Sequence, residues 1–494
     1  MNPSALTGAV IGLLVLGPGA RSFGQTPCES DSLVALDGGP SDQFAGAVSI
    51  DGTVAVVGAS GDDDGGSGAG AAYVFRFNGT DWVQEQKLTA SDAAAFDEYG
   101  IAVGVSGDSI VVGAPRNDLP VGNNAGAAYV YVFNGATWDE QQRLLATGGA
   151  LGDRFGYSVA IDGDTVLVGA INDDDVVANS GSGYVFTRTG TTWTEQDKLT
   201  VAIPTGTNPQ LGHSAALEGD VAVLGAWQDA PAGMFSVGAA YVFRRTGTTW
   251  SQEQKLTASD AANFRWFGQS VSISGNTIAV GAFGDQAAGL GESGGAYFFT
   301  FDATWTEQDN VNASDAAAND RFGWSIALDG DTAVIGTDGA SEAYLFTRTG
   351  GVWSEQTMLN SADPGVSGEY AYSVGLDAET AVIGDRSGAS GNGIAFVFDL
   401  AGIDCNANGI CDAKDIADGT SFDVNTNGIP DECECPEDVN GDGTVNVLDL
   451  IDLLLCFGQP DTPPCDTGQD VNGDGSVNVL DLIDLLLAFG TACP

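Results

Sequence analysis

The chain has 494 residues, enough for several domains or one large repeat array, and 43% of them are hydrophobic, enough for a core. Its 67 Asp and Glu against 16 Lys and Arg give a formal charge of −51 at pH 7. Phosphate binding needs a basic face, so this balance excludes nucleic acid and anionic membrane surfaces as partners and suits a soluble protein that binds cations.

The first predicted element is a secretory signal over residues 1–24. Leu6 to Leu16 is mostly apolar and has the length of a signal's hydrophobic core, and small residues follow at Pro18, Gly19, Ala20, Ser22 and Gly24. Cleavage is placed near Ala20 or Gly24, although Lys and Arg are missing ahead of the apolar run. That run is shorter than the ~20 residues that cross a bilayer, and no later segment could cross either. The mature chain is therefore expected to lack a membrane span and to be secreted or held at the cell surface.

Residues 25–402 form a repeat array. One copy begins Phe155-Gly156-Tyr157-Ser158-Val159-Ala160-Ile161-Asp162-Gly163-Asp164-Thr165-Val166-Leu167-Val168-Gly169-Ala170, and related stretches begin at Phe44, Tyr99, Leu211, Phe267, Phe322 and Tyr370. Successive starts from Phe44 are 55, 56, 56, 56, 55 and 48 residues apart, the size of a four-stranded propeller blade. In the copy at Phe155, Ser158 to Ile161 alternates as a half-buried strand does. Asp162-Gly163-Asp164 supplies a hairpin turn, because Asp-Gly favours positive φ. Thr165 to Gly169, Gly183 to Phe186 and Trp193 to Leu199 read as the second, third and fourth strands. Tyr73, Tyr129, Tyr184, Tyr241, Tyr297 and Tyr344 recur at one position, and Trp82, Trp138, Trp193, Trp250, Trp305 and Trp353 at another. Such aromatics are expected to form core between stacked repeats.

The seventh copy ends at Phe398 without a Trp-Glu-Gln strand. Leu33-Val34-Ala35-Leu36-Asp37, followed by Asp42-Gln43-Phe44, aligns with Leu88-Thr89-Ala90-Ser91-Asp92, followed by Asp97-Glu98-Tyr99. The N-terminus thus offers the missing strand and closes the ring, which removes an open sheet edge. The expected fold is an all-β seven-bladed β-propeller followed by a small calcium-loop and helix domain.

The blades resemble the FG-GAP repeats of integrin-like propellers over about three-quarters of the chain. Phe-Gly stands at Phe155-Gly156, Phe267-Gly268 and Phe322-Gly323, and Gly-Ala-Pro is intact at Gly113-Ala114-Pro115. Integrin-type blades carry an Asp-rich calcium loop between their first two strands. Here that connection is only Asp162-Gly163-Asp164 or its equivalents, too short to wrap an ion, so those metal sites do not carry over.

Composition changes past Leu400. Residues 403–435 hold two stretches with the spacing of a calcium loop, in which positions 1, 3, 5, 7, 9 and 12 supply oxygen ligands. The first offers Asp404, Asn406, Asn408, the Ile410 carbonyl, Asp412 and Asp415. The second offers Asp423, Asn425, Asn427, the Ile429 carbonyl, Asp431 and Glu434. This segment is similar to thrombospondin type 3 calcium repeats.

Residues 436–494 hold a duplicated loop. Asp438, Asn440, Asp442, the Thr444 carbonyl, Asn446 and Asp449 form one ligand set, and Asp470, Asn472, Asp474, the Ser476 carbonyl, Asn478 and Asp481 the other. Gly443 and Gly475 stand at the sixth position, where the loop turns sharply. One apolar helix is predicted after each loop, over Leu450 to Phe457 and Leu482 to Phe489. Duplicated loop plus single helix resembles a type I dockerin (an EF-hand-type module). The resemblance implies calcium as cofactor and a cohesin-like or other extracellular protein as partner. It places the recognition pairs at Val447-Leu448 and Val479-Leu480.

Seven of the eight cysteines fall in the last 90 residues. An even count in an exported chain favours disulfides. Ring closure is expected to bring Cys28 beside Cys405, leaving Cys411–Cys433, Cys435–Cys493 and Cys456–Cys465 as the other pairs.

Two function classes compete: a non-catalytic binding or scaffold protein plugged into a partner by its tail, and a polysaccharide-active enzyme tethered the same way. The only histidine, His213, occupies the place of Tyr157, Gln269, Trp324 and Tyr372 in other blades, so it reads as a variable blade position. No catalytic residue is assigned. The triplets Asp62-Asp63-Asp64 and Asp173-Asp174-Asp175 read as solvated loop residues. The residue after the Gly-Ala pair differs in every blade, being Ser60, Pro115, Ile171, Trp227, Phe283, Asp338 and Arg386. Blade four is the most apolar there, so Trp227, Met234 and Phe235 are the expected contacts for a carbohydrate or protein ligand, unless Trp227 simply packs on its neighbour.

Overall fold

The computed structural model describes residues 27–119, 123–202, 208–286, 289–361, 368–405, 408–421, 430, 447–456, 471 and 479–488. The chain divides into two units, one of residues 27–402 with 408–411, the other of the remaining residues.

The first unit is built of seven four-stranded sheets. Blade three shows the pattern: Phe155–Asp162, Thr165–Ala170, Ser182–Thr189 and Thr192–Leu199, each antiparallel to the last. The second strand is buried end to end, as an apolar run flanked by sheets must be, while the fourth is mostly half-buried or exposed. Blade seven takes Tyr370–Asp377, Thr380–Asp385 and Ile394–Asp399 from the end of the array and Cys28–Leu33 from its beginning. The N-terminal strand therefore closes the ring as expected.

The recurrent aromatics are core. Tyr184 and Trp193 of blade three lie with Val111 and Val130 of blade two in one buried cluster, and comparable clusters fill the other seams. Two further devices join neighbouring blades, the first at three of the seams. The Gln86 side chain bonds both the N–H and the carbonyl of Trp138, each at 2.8 Å, mimicking a strand partner. Gln142 does this for Trp193 and Gln254 for Trp305. In the other device, each hairpin turn is capped by the residue ending the previous blade's first strand. Gly107 N–H donates to Asp51, Gly163 to Ser106, Gly219 to Asp162, Gly275 to Glu218, Gly330 to Ser274 and Ala378 to Asp329. Gly52 donates to Asp377, which completes the circle.

Where the blades come closest they touch through backbone. A Cβ added to Gly113 of the Gly-Ala pair would sit 2.0 Å from the carbonyl oxygen of Gly156 in the next blade. Gly58 faces Gly100, Gly225 faces Gly268 and Gly281 faces Gly323 in the same way. This seam is why the repeat needs glycine at both places.

The disulfide pairing differs from expectation: Cys28 is bonded to Cys411, not Cys405. Residues 409–411 run alongside the closing strand. Glu29 N–H donates to Gly409 O at 2.9 Å, and Cys411 N–H donates to Glu29 O at 3.0 Å. This pairing, which the spacing of cysteines does not reveal, sets Cys411 against Cys28. The expected Cys411–Cys433 bond falls with it. Cys405 is disulfide-bonded elsewhere, and the remaining cysteine side chains lie outside the described residues.

The second unit contributes three described helices, Asp412–Asp418, Val447–Cys456 and Val479–Ala488. The last two start three residues before the expected Leu450 and Leu482, so Asp449 and Asp481 fall within their first turns. They lie against each other, with Leu453 and Leu485 fully buried.

The seam yields a test. Gly113→Ala should lower the unfolding free energy by about 1–3 kcal/mol, the usual cost of overpacking. Gly291→Ala, where nothing lies within 4 Å of the added carbon, should change it by no more than about 0.5 kcal/mol. Urea denaturation followed by tryptophan fluorescence measures both.

Candidate functional site

Two loops of each blade, the one between its second and third strands and the one leading into its first strand, carry the residues that vary between copies. Beneath the first loop the chemistry is repeated. Asp62 and Asp173, expected to be solvated, are each only 2% exposed. Tyr184 donates its hydroxyl to Asp173 at 2.7 Å, Ser182 does so at 2.7 Å, and the Lys198 ammonium lies 2.6 Å away. Tyr73 and Lys87 hold Asp62 in the same way, as Tyr241 and Lys255 hold Asp229. A buried carboxylate needs a partner, and here a lysine supplies the positive charge. Burial alone would raise the Asp173 carboxyl, but the Lys198, Tyr184 and Ser182 bonds outweigh it and hold the group below its usual value. In blade five Asn310 replaces the lysine, and Arg265 reaches Asp285 at 3.3 Å from the other loop.

A second recurring aspartate stands two residues before the Phe-Gly pair. Asp153 is 5% exposed and accepts the Ala150 N–H at 2.7 Å. Burial raises it to about 6, with Asp173 and Asp174 nearby adding to the shift. Asp42 and Asp97 are raised by the same cause.

On these loops and the strand starts beside them the side chains form a continuous aromatic arc. Tyr157 and His213 are 5.4 Å apart, and His213 stacks on Trp227 at 4.5 Å. Trp227 meets Phe283 at 6.4 Å, and Phe283 stacks on Trp266 at 4.8 Å. Phe283 also meets Trp324, which meets Tyr372, over which the Arg386 guanidinium sits at 3.7 Å. His213 does occupy the variable position of the repeat. Its Nε2 lies 3.1 Å from Gln269 Oε1, its Nδ1 is buried without a partner, and burial lowers its pKa to about 4. The ring is therefore neutral at pH 7.

Of the three expected ligand contacts, Trp227 is packed between His213 and Phe283 and donates its indole N–H to Gln210 at 2.7 Å. Met234 is half-buried. Phe235 is 63% exposed and parallel to Phe264, which is 49% exposed, with ring centres 6.2 Å apart. Phe264 and Trp266 border a cavity of about 410 Å³, also lined by Gly284, Gln286, Gly291, Glu292, Ala318 and Asn319. Sequence reasoning passed over Phe264 and Trp266. Their signal was present: at the place of Trp266 the other blades have Gln43, Glu98, Arg154, Gln210, Arg321 and Glu369.

Of the expected calcium ligands, Asp412 and Asp415 are buried in the first turn of their helix. Asp412 accepts the Cys405 N–H at 3.0 Å, and Asp415 accepts the Thr420 hydroxyl at 2.8 Å. Asp481 is fully buried in its helix. Asp404, Asn408 and Ile410 are described, and Ile410 N–H donates to the Asn408 side chain at 2.7 Å. Asn406, Asp423, Asn425, Asn427, Ile429, Asp431, Glu434, Asp438, Asn440, Asp442, Thr444, Asn446, Asp470, Asn472, Asp474, Ser476 and Asn478 lie outside the described residues, as does the side chain of Asp449. Val447, Leu448, Val479 and Leu480 are each more than half exposed.

Two outcomes follow. The Asp153 carboxyl is raised above the ordinary 3.8, so the unfolded chain releases its proton before the folded one does. Stability should fall by about 2 kcal/mol as pH rises from 4 to 7 through this group, and Asp153→Asn should remove that part of the slope in urea titrations. Trp227→Ala should cost about 2 kcal/mol of stability by the same measurement, because the indole supports two neighbouring rings.

Compared with known families, the chain matches the FG-GAP repeat at residues 29–75, 82–131, 138–186, 193–243, 250–299 and 305–346, more than half of its length. Each matched segment begins on an outer strand and continues into the next blade. No curated protein matches the chain.

Proposed function

The chain belongs to the FG-GAP repeat family, and on that premise we propose that it is an extracellular binding or scaffold protein whose propeller displays a ligand face and whose tail attaches it to a partner. The observation that carries this reading is the aromatic arc, drawn from five blades, with the exposed Phe264 and Phe235 rings joined to it at Trp266. Large exposed aromatics on a rigid frame mark interaction surfaces. Residues 1–24 are the export signal in this reading, and the Cys28–Cys411 bond suits an oxidising compartment.

The tail is the attachment plug. Its duplicated loops offer carboxylates, amides and a carbonyl, the hard oxygen donors that calcium takes. Bound calcium would neutralise carboxylates that otherwise repel one another, so binding and folding are coupled. Val447-Leu448 and Val479-Leu480 are repeated, exposed apolar pairs, and they are the surface offered to a cohesin-like or other extracellular protein.

Hydrogen exchange of the full chain tests the calcium reading. In calcium, the amides of Val447–Cys456 and Val479–Ala488 should be protected. Chelation with EDTA should bring them to the rate of unstructured chain, while Thr165–Ala170 stays protected. Unchanged protection of the two helices in EDTA would remove calcium from the account.

A further inference from the structure

Blade five departs from its siblings where its approach loop turns. The backbone there enters the left-handed region twice, at Phe264 with φ 61° and at Trp266 with φ 51°. Bulky side chains are rare in that region, because Cβ crowds the backbone. The turn itself is shared, with Ser41, Phe96, Gly152 and Asn319 left-handed at the place of Phe264 and Gln43, Glu98, Arg154, Gln210 and Arg321 at that of Trp266, but only blade five places two large aromatics on it. The turn belongs to the repeat, and what distinguishes blade five is the pair of rings it carries there.

What these two rings border is a cavity of about 410 Å³, within the range of small-molecule sites. Its walls are of two kinds. Phe264 and Trp266 form the apolar wall, and beside it the exposed Phe235 ring lies parallel to Phe264 within 8°. Gln286 and Asn319 are exposed amides, which can donate and accept at once. Glu292 adds a carboxylate, but Arg321 lies 3.2 Å from it and also pairs with Asp338 at 3.0 Å, so no uncompensated cation lines the wall. Flat apolar faces beside amides and an ion-paired carboxylate match a ring that is apolar on one face and bears hydroxyls at its edge. An anionic ligand would meet no free positive charge here, on a chain of charge −51.

We propose that this groove, at Phe235, Phe264, Trp266, Gln286, Glu292 and Asn319, is a subsite for a neutral pyranose glycan, an inference that rests on reading the propeller as a binding module. The pyranose C–H face lies on the phenyl rings, and its hydroxyls bond the amides.

Calorimetric titration of the full-length protein with cellohexaose, xylohexaose, mannohexaose, laminarihexaose and maltohexaose, with an alginate hexamer as the anionic comparison, tests this. The expected result is saturable binding of at least one neutral hexamer and none of alginate. Phe264→Ala should weaken it about tenfold or more, as should Asn319→Ala, each with an unchanged circular-dichroism spectrum. Val352→Ala, an exposed apolar residue of an outer strand, should leave it unaltered. Silence with all five neutral hexamers, or binding that survives both groove substitutions, overturns the proposal. A protein captured by the wild type and lost with Phe264→Ala, without glycan binding, would overturn the glycan assignment and leave the binding module standing. Release of new reducing ends from the hexamers would overturn the binding-module reading itself.

Discussion

Seven sheets can share one ring only if neighbouring blades touch where they converge, and here they touch carbonyl to glycine. Gly113 against Gly156 leaves no room for a single methyl group. The Phe-Gly and Gly-Ala pairs are two halves of this contact, one from each blade. The Phe, Tyr or Leu of the first pair is fully buried beside the seam, and its backbone bridges the glycine that precedes the third strand of the previous blade. The other shared features follow from the spacing this contact sets. It holds adjacent outer strands near enough for the Gln86 amide to span to Trp138, and adjacent turns near enough for Asp51 to cap Gly107.

The acidic composition is accommodated by rationing positive charge. Nearly all of the 16 Lys and Arg enter an ion pair, several with a carboxylate that is otherwise buried. The lysines under the loops of blades one, three and four each pair with an aspartate that also accepts a tyrosine hydroxyl. Where blade five lacks the lysine, Arg265 arrives from the neighbouring loop in place of the usual aspartate. The blade thus keeps its charge balance while freeing the approach loop for aromatic residues. That exchange is what makes the seam between blades five and six chemically unlike the others.

Most of the propeller was legible in the sequence because each blade is a local unit. Strand, turn and aromatic positions recur about every 56 residues, and seven copies reinforce one another. The closing strand was legible for the same reason, since Leu33 to Asp37 matches a fourth-strand end that has six siblings. The site was less so. Trp227 and Phe235 stood out as unusual residues, yet the first turned out to be a support and the second a surface ring. Burial of Asp62 and Asp173 was invisible, because a triplet of aspartates in a Gly-rich loop has the composition of a solvated turn. Only the fold brings a lysine from the fourth strand across to them.

Sequence alone determined the number of blades, the order of strands within each and the circular closure, because these depend on short-range periodicity and on repetition. Tertiary structure alone decided which cysteine meets Cys28. A parallel pairing of residues 409–411 with the closing strand selects Cys411 over Cys405, six residues away. It alone decided that Phe264 and Phe235, 29 positions apart and in different blades, form one surface. Contacts of this second kind join residues through space across a seam, and no local pattern of residues encodes where a seam will place two side chains.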